Sequence, residues 1–380
     1  MEKNQVQATK ALTSKYIFDG TTIRENEVVL INEDTIIDII PRANLQSTTT
    51  VTDFGDGIIC PGFIDLQLNG CGGVLFNNAI SCDTLEVMYQ TWLKFGTTGF
   101  LPTLISSDFK DVVHSLQVIQ QWFAQYGNTR GVLGIHLEGP FISKIKCGIH
   151  EKKYIVTPTD QLLQQIVAYR QFFPIKMTIA VEEFTQEQIQ FLTANDIILA
   201  IGHSNATYAV AQQAIEWGVS SSTHMFNAMS GLTARNPGVI GAILNSNIFT
   251  GIIVDMLHVD SANIQLLERV KSGYVYLVSD AVTSAGTDIE QFDLAGKTIY
   301  VNDGKCVDEN GVLGGANITL NEAIRNCVKY CNLSLSSSLA MATSIPAQVL
   351  SVDNVLGRIK NGYRADLVYL NLDDFTCKIC

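Results

Sequence analysis

The sequence predicts a (β/α)8 TIM-like barrel with a small β-sandwich-like domain formed from both ends of the chain. Apolar runs alternate with helical patterns through the middle of the chain, as the repeated β-α units of a parallel sheet require. Short alternating strands separated by turn residues lie near both ends. We therefore expect the small β domain over residues 1–60 plus 350–380 and the barrel over residues 61–349.

Residues 16–60 carry the pattern of a small antiparallel sheet. Turn residues interrupt short alternating runs at 19–20, 32–34 and 55–57. The strand-like segment 356–373 near the other end is expected to pair with residues 16–60.

Eight apolar runs form the predicted barrel strands. They lie at 58–70, 98–106, 131–139, 175–183, 197–205, 220–228, 250–258 and 274–281. Amphipathic patterns between them predict helices over 83–95, 108–126, 160–172, 185–194, 206–217 and 261–271. A turn-rich, strand-like segment at 292–316 and helices at about 319–332 and 336–343 follow. Eight such units in series are what a (β/α)8 barrel needs.

Composition excludes several classes of function. The 380 residues include 25 Lys and Arg against 37 Asp and Glu, a net charge of −12 with no basic cluster, so we expect no nucleic-acid partner. An anionic substrate would need a local cationic pocket. The first residues lack the apolar core of a signal peptide, and no run of 18 apolar residues occurs, so we expect a cytoplasmic protein without membrane contact. Nine scattered cysteines are expected to be reduced thiols.

Polar side chains gather where the predicted strands end, which is where barrels carry their active sites. Five of the six histidines lie on these ends or just beyond one. A single barrel histidine is ordinarily a hydrogen-bonded core residue, and we assign His136 such a supporting role. The strand ends carry Gln67, Asn69, Thr103, Glu138, Glu182, Glu183, His203, His224, His258 and Asp280.

A metal site is the chemistry that these residue types favour. Glu138, His203 and His224 make one carboxylate and two imidazoles, a ligand set that suits Zn²⁺ or another borderline divalent ion. Asp280 could take a proton from a water at such an ion.

Two loops beyond the strands are candidates for substrate contact. His150 follows a lysine-bearing loop after the third strand, and Arg235 follows Asn227 and Ala228 in a Gly- and Pro-containing segment. Arginine with nearby backbone amides suits a phosphate. Simple solvation is the alternative for the lysines and for Arg235.

Six motifs lie in a fixed order along the barrel region, and AGKTIYVNDGKCVDENGVLGG (295–315) and LGRIKNGYRADLVYL (356–370) follow them. In this order and spacing they resemble the N-acetylglucosamine-6-phosphate deacetylase family of the amidohydrolase superfamily; the string PGFID alone would indicate only the superfamily. The six motifs are PGFIDLQLNGCGG (61–73), HLEGPF (136–141), GHSNAT (202–207), THMFNAM (223–229), DMLHVD (255–260) and VSDA (278–281).

The resemblance implies hydrolysis of N-acetyl-D-glucosamine 6-phosphate to D-glucosamine 6-phosphate and acetate, in amino-sugar catabolism or recycling. It implies one divalent metal per subunit, with zinc expected and iron, cobalt or manganese as alternatives. A homodimer or homotetramer is implied, in which Arg235 reaches a neighbouring subunit's substrate. The implied roles are metal binding by Glu138, His203 and His224, general base and then acid catalysis on a metal-activated water by Asp280, carbonyl polarisation by His150, and substrate contact by Asn227, Ala228, Arg235, His258 and His150.

The sequence departs from the wider superfamily at two places. Where two-metal amidohydrolases have H-x-H after the first strand, this chain has Gln67 and Asn69, whose neutral amides are poor ligands. We expect a vestigial second-metal position there. The chain ends at FTCKIC, whereas similar proteins continue into another hairpin, so an altered edge of the small sheet is expected.

Two other functions remain open at this stage. One is a different amidohydrolase, such as a cyclic amidase or deaminase, which would ordinarily have the H-x-H pair. The other is a catalytically inactive barrel scaffold, against which the joint presence of Glu138, His203, His224 and Asp280 argues.

Overall fold

The computed structural model describes residues 8–46 and 49–380. Residues 1–7, 47 and 48 of the predicted small domain lie outside the described residues. Seven strands precede the barrel: β1 (Lys10–Thr13), β2 (Tyr16–Phe18), β3 (Ile23–Glu25), β4 (Glu27–Asn32), β5 (Thr35–Pro41), β6 (Thr50–Asp53) and β7 (Ile58–Pro61). A 3-10 turn spans Arg42–Asn44.

These strands contribute to two sheets. One has the order β5-β4-β1-β6, and β7-β2-β3 lie in the other. The prediction of an antiparallel sheet was wrong for two pairs, since β1 with β6 and β2 with β7 run parallel. The β4-β5 hairpin separates the members of each pair, so the chain returns beside β1 and β2 in their own direction.

The middle of the chain forms the barrel, with strands and helices in alternation. The strands of this region are β8 (Phe63–Leu68), β9 (Gly70–Cys71), β10 (Val74–Leu75), β11 (Thr97–Ile105), β12 (Gly131–Val132), β13 (Ile135–Glu138), β14 (Ile175–Ile179), β15 (Ile198–Ile201), β16 (Ser221–Ser222), β17 (Phe249–Ile252) and β18 (Val275–Leu277). Strands β9 and β10 pair antiparallel with each other in a separate two-stranded sheet. The helices are α1 (Cys82–Leu93), α2 (Phe109–Tyr126), α3 (Asp160–Val167), α4 (Gln186–Ala194), α5 (Tyr208–Glu216), α6 (Gly238–Leu244) and α7 (Ser261–Lys271), with 3-10 turns at Lys152–Tyr154 and Val181–Glu183.

Parallel pairing runs from β8 through β11 and β13 to β18, which confirms the predicted (β/α)8 fold class. The predicted sixth strand, 220–228, is only the two residues of β16, because the backbone turns into the left-handed region at His224 (φ 27°) and Phe226 (φ 78°). Between the first and last barrel strands a single bridge, Leu68 to Ala281, forms beyond the end of β18.

The buried carboxylate of Asp65 on β8 reinforces this closure. It accepts hydrogen bonds from the backbone N–H and the hydroxyl of Ser279, at 3.2 and 2.5 Å, and from Trp92 Nε1 at 3.2 Å. Asp65 therefore ties β8 to the segment after β18 and to helix α1, where backbone pairing is sparse.

Beyond the barrel strands the chain adds β19 (Gln291–Leu294), β20 (Lys297–Asn302), β21 (Lys305–Val307) and β22 (Leu313–Ala316), then α8 (Leu320–Lys329), α9 (Leu335–Ala342), α10 (Ser344–Val349), β23 (Leu367–Leu370) and β24 (Cys377–Ile379). Strands β19 to β22 form an antiparallel sheet, and a bridge from Ala281 to Ala316 connects it to the barrel rim. Near the end of the chain, β23 pairs with β7, with Val368 opposite Cys60, and β24 forms the sheet edge.

The core follows from the amphipathic helices packing on the barrel. Trp92 of α1 and Trp122 of α2 are among the largest fully buried side chains. Burying such a side chain contributes roughly 2–3 kcal/mol. Among the described residues, no helix has the length and apolar character that crossing a bilayer demands.

Candidate active site

The candidate site lies at the carboxyl ends of the barrel strands. Glu138 is the last residue of β13, while His203, His224 and Asp280 follow β15, β16 and β18 by two or three residues. Their φ angles are 47° for His203, 27° for His224 and 51° for Asp280, a left-handed region that residues other than glycine rarely adopt. Each such residue costs about 1 kcal/mol or more, and such strain clusters at functional sites.

One carboxylate oxygen of Glu138 and one ring nitrogen each of His203 and His224 converge in the barrel. Oε1 of Glu138 lies 2.9 Å from Nε2 of His224 and 3.2 Å from Nε2 of His203, and the two Nε2 atoms are 3.1 Å apart. Ligands of a tetrahedral zinc lie roughly 3.3 Å from one another. Facing lone pairs repel unless a proton or a metal ion lies among them, so this set of ligand atoms fits a divalent metal.

Neighbouring groups fix the tautomer of His203 and shift the pKa of His224. Nδ1 of His203 donates to the backbone oxygen of Lys146 at 2.7 Å, which leaves a lone pair on Nε2. Burial disfavours the charged form of His224, but its hydrogen bond to Glu138 and the charge of that carboxylate together raise the pKa of His224.

His150 is a second candidate for the metal. Its ligand atom lies within 4.8 Å of those of Glu138 and His203, so geometry alone permits either His150 or His224 as the third ligand. The backbone N–H of Ser106 donates to Nδ1 of His150 at 3.2 Å, and the Ser106 hydroxyl lies 2.9 Å away. Since Nδ1 accepts, Nε2 of the neutral ring carries the hydrogen and is a donor rather than a ligand. Burial lowers the pKa of His150 to about 3, which keeps the ring neutral.

Asp280 is held by the amide pair that replaces H-x-H. Its Oδ1 accepts from Nε2 of Gln67 at 3.0 Å and from Nδ2 of Asn69 at 2.7 Å. The same Gln67 nitrogen lies 3.1 Å from both oxygens of Glu138. Burial, with the charge of Glu138, raises the pKa of Asp280 to about 6. A carboxylate with that pKa can both take and return a proton near neutral pH.

A buried polar layer supports the cluster from below. His136 lies between Thr103 and Thr178, with Nδ1 3.1 Å from the first hydroxyl and Nε2 2.7 Å from the second. Both ring nitrogens are thereby satisfied inside the barrel, in keeping with the supporting role predicted for His136. His114, by contrast, is exposed on α2.

A cavity of about 320 Å³ opens above these residues. Loop residues Asn227, Ala228 and His258 line it, together with apolar side chains of the β19–β22 sheet. His258 follows β17 by six residues, and its Nδ1 lies 2.6 Å from the carboxylate of Asp255. Arg235 is exposed on its loop and does not line the cavity. Among the described lining residues, Lys146 is the one lysine or arginine.

Sequence reasoning missed two supporting residues. Ser106 directly follows β11, a strand-end position of the kind that carries candidate residues in the other strands, so its position in the sequence is a usable signal. Lys176 lies within β14, where both faces of the strand are buried and no alternation separates inward from outward residues.

The metal content of single variants distinguishes the two possible ligand sets. We expect His224→Asn to lose most of its bound metal and His150→Asn to retain it, because Ser106 fixes His150 as a donor. Elemental analysis of metal per chain, after purification in the same zinc-containing buffer, measures this. Loss of metal from His150→Asn with retention in His224→Asn would reverse the assignment.

Comparisons with known proteins cover nearly the whole chain. The chain is 37% identical over 360 residues to the N-acetylglucosamine-6-phosphate deacetylase of Haemophilus influenzae, across 94% of each protein. It is 36% identical over 320 residues to the N-acetylgalactosamine-6-phosphate deacetylase of a Shewanella species, across 83% of this chain and 80% of that protein. The crystal structure of N-acetylglucosamine-6-phosphate deacetylase from Pasteurella multocida matches with a TM-score of 0.94 and 41% identity, over 97% of this chain and 96% of that one. A model of the amidohydrolase family matches residues 58–379. The resemblance predicted from the motifs is confirmed, and the chain belongs to the amidohydrolase family.

Proposed function

We propose that the protein is a metal-dependent deacetylase that hydrolyses N-acetyl-D-glucosamine 6-phosphate to D-glucosamine 6-phosphate and acetate. The proposal rests on one observation. A single cavity is lined by the candidate metal ligands Glu138, His203 and His224 and by Asp280 and His150. The activities named for the bacterial relatives support the choice of substrate.

The metal is one divalent ion per subunit, held by Glu138, His203 and His224. Two imidazoles and one carboxylate are a set that zinc accepts readily, and iron, cobalt or manganese are alternatives. Such an ion, when bound, lowers the pKa of water and polarises a carbonyl group. Gln67 and Asn69 present amide hydrogens toward the carboxylates, which supports a vestigial second-metal position.

Asp280 and His150 carry out the proton chemistry. Oδ1 of Asp280 is occupied by two amide donors, so Oδ2 is the oxygen free to take a proton from the attacking water. Nε2–H of His150 donates to the amide oxygen of the substrate as that oxygen gains negative charge. Asp280 then returns its proton to the amine nitrogen, the C–N bond breaks, and acetate and the free amine leave.

The phosphate is assigned to the part of the cavity formed by Asn227, Ala228 and His258. Left-handed backbone at Phe226 and Ala228, with φ of 78° and 52°, turns successive peptide groups as anion-binding nests do. Lys146 supplies the local positive charge that a phosphosugar needs in a chain of net charge −12.

Arg235 is assigned to the substrate of a neighbouring subunit in a homodimer or homotetramer. It is exposed, and Leu232 on the same loop is 53% exposed, as suits a segment covered by another subunit.

We also assign the protein to the cytoplasm, since its nine cysteines are all free thiols.

Neither alternative function has a specific observation in its favour. A cyclic amidase or deaminase with two metals would need ligands where Gln67 and Asn69 lie. An inactive scaffold would have no use for strained backbone at His203, His224 and Asp280.

Amine release from N-acetylglucosamine 6-phosphate by the purified protein tests the proposal. We expect activity that a chelator abolishes and added Zn²⁺ restores, because the ligand set binds the ion reversibly. The assay is repeated with N-acetylgalactosamine 6-phosphate, the substrate named for the Shewanella relative. If the metal-loaded protein released amine from neither sugar phosphate, the proposed reaction would be refuted.

Replacement of Asp280 tests the proton transfer. Asp280→Asn should lower kcat by about 10³-fold or more with metal content unchanged, because Asn cannot take up the proton. Asp280 acts as base in its ionised form, so activity should fall as pH drops and the carboxylate becomes protonated. Without metal the pKa of Asp280 is about 6. A bound divalent ion lowers this pKa, so the native enzyme should lose activity below pH 6. Stopped assays across pH 4–8 with elemental analysis measure both effects, and a variant with normal kcat would exclude Asp280 as the base.

Lys146→Met tests recognition of the phosphate. We expect KM for N-acetylglucosamine 6-phosphate to rise about tenfold or more, because one charge-assisted contact of about 1.5–3 kcal/mol is lost. The kcat/KM for unphosphorylated N-acetylglucosamine should change little. Lys144→Met, an exposed lysine of the same loop, is the matched control. Equal effects on the two sugars would assign Lys146 to loop structure.

A further inference from the structure

Lys176 is a buried cation for which the proposed mechanism has no use. It lies on β14 opposite His136 of β13, and its side chain is completely buried. Its ammonium nitrogen is 3.5 Å from Nε2 of His136 and 6.0 Å from the centre of the Tyr276 ring. Neither neighbour is an anion, because a histidine ring is neutral or cationic and burial raises the pKa of the Tyr276 hydroxyl far above its usual value. A buried charge without a direct partner is costly and needs an explanation.

Carboxylates inside the same barrel supply the opposite charge. Asp65 and Glu138 are buried, and Asp280 lies at the barrel rim. Burial lowers the pKa of Lys176 to about 8, while the charges of these three carboxylates oppose that shift. At neutral pH the ammonium is therefore still mostly protonated.

Burial raises the pKa of Asp65, and the hydrogen bonds that its carboxylate accepts oppose that shift and favour the ionised form. The four groups within hydrogen-bond distance are the backbone N–H groups of Gln67 and Ser279, the indole N–H of Trp92 and the hydroxyl of Ser279. Three of the four can only donate hydrogen bonds, and such donors stabilise the ionised carboxylate. Negative charge in the barrel thus extends below the metal cluster, toward the layer that contains Lys176.

We propose that Lys176 is a fixed internal cation that balances the carboxylates of Asp65, Glu138 and Asp280 and so preserves the shape of the site when no metal is bound. The inference rests on the metal site of the proposed function. With a divalent ion present, its two charges and that of Lys176 cancel the three negative charges. Without the ion, Lys176 limits the repulsion between the carboxylates, which Gln67 holds close together at Glu138 and Asp280.

Lys176→Met keeps most of the side-chain volume and removes the charge. We expect the unfolding temperature of the metal-free variant to fall by about 5 °C or more, because uncompensated carboxylates repel one another. The metal-loaded variant should fall by less than half as much, since the ion supplies positive charge. The increase in unfolding temperature on adding Zn²⁺ is therefore larger in Lys176→Met than in the native chain. Thermal unfolding followed by circular dichroism, with chelator or with Zn²⁺, measures all four states.

Lys271→Met is the matched control. Lys271 is 3% exposed, and its ammonium donates to the backbone oxygens of Ile243 and Ser246 at 3.2 and 2.7 Å. Burial lowers its pKa to about 8 as well, without a contribution from the site carboxylates. Its replacement should lower the unfolding temperature equally with and without Zn²⁺.

A double variant separates charge balance from a packing role. Asp280→Asn removes one negative charge while its remaining oxygen can still accept from Gln67 and Asn69. In metal-free protein, adding Asp280→Asn to Lys176→Met should recover at least half of the lost unfolding temperature. If Lys176→Met does not fold without Zn²⁺, recovery of folding by the double variant is the deciding result.

Equal losses with and without Zn²⁺ in Lys176→Met, or no recovery in the double variant, would overturn the inference. A native chain whose unfolding temperature does not respond to Zn²⁺ would refute the metal site of the proposed function instead. The metal-free comparison of single and double variants would still decide whether Lys176 balances Asp280.

Discussion

The concentration of acceptor groups inside a closed barrel is the constraint on which the rest of the structure depends. Glu138, His203 and His224 approach one another within 3.2 Å, and Gln67 joins Glu138 to Asp280, at a cavity largely shielded from bulk water. Such groups repel in a medium of low dielectric constant unless cations or hydrogen-bond donors lie among them. Donors and positive charges are therefore distributed through the whole barrel interior, from the amide of Gln67 at the rim to Lys176 below it.

The rigid scaffold is what makes this approach possible. The left-handed backbone at His203, His224 and Asp280 would not persist in a mobile loop, because each residue would relax to an ordinary conformation. Each of them lies two or three residues after a barrel strand, and parallel pairing continues close to that point. Gly202 shows how tight the packing is, since a Cβ there would lie 2.7 Å from Thr178 and 2.8 Å from Thr223. Barrel packing thus compensates for strain at the rim.

The sequence predicted the barrel and grouped candidate residues that the structure brings together, because both depend on patterns of period and position. Alternating apolar runs and helices indicate parallel β-α units, and the carboxyl ends of such strands must meet, so Glu138, His203, His224 and Asp280 could be grouped without a structure. Other features depend on details that no pattern carries. That Ser106 fixes the tautomer of His150 requires the backbone direction at the end of β11. Lys176 was indistinguishable from an outward-facing residue in a strand that is buried on both faces. The parallel pairs of the small domain depend on where the chain returns after a hairpin, which turn residues alone do not specify.

The amide pair after β8 connects metal stoichiometry to proton transfer. If Gln67 were turned over, its oxygen would face the carboxylates of both Glu138 and Asp280, so the charges around it determine that Nε2 points toward them. An additional cation near Asp280 would then meet the positive ends of two N–H dipoles instead of the lone pairs that H-x-H would offer. The same two donors hold one oxygen of Asp280 and leave the other free. In the proposed function, amides in place of histidines therefore have two effects: they offer no ligands to a second ion, and they position the carboxylate to which proton transfer is assigned.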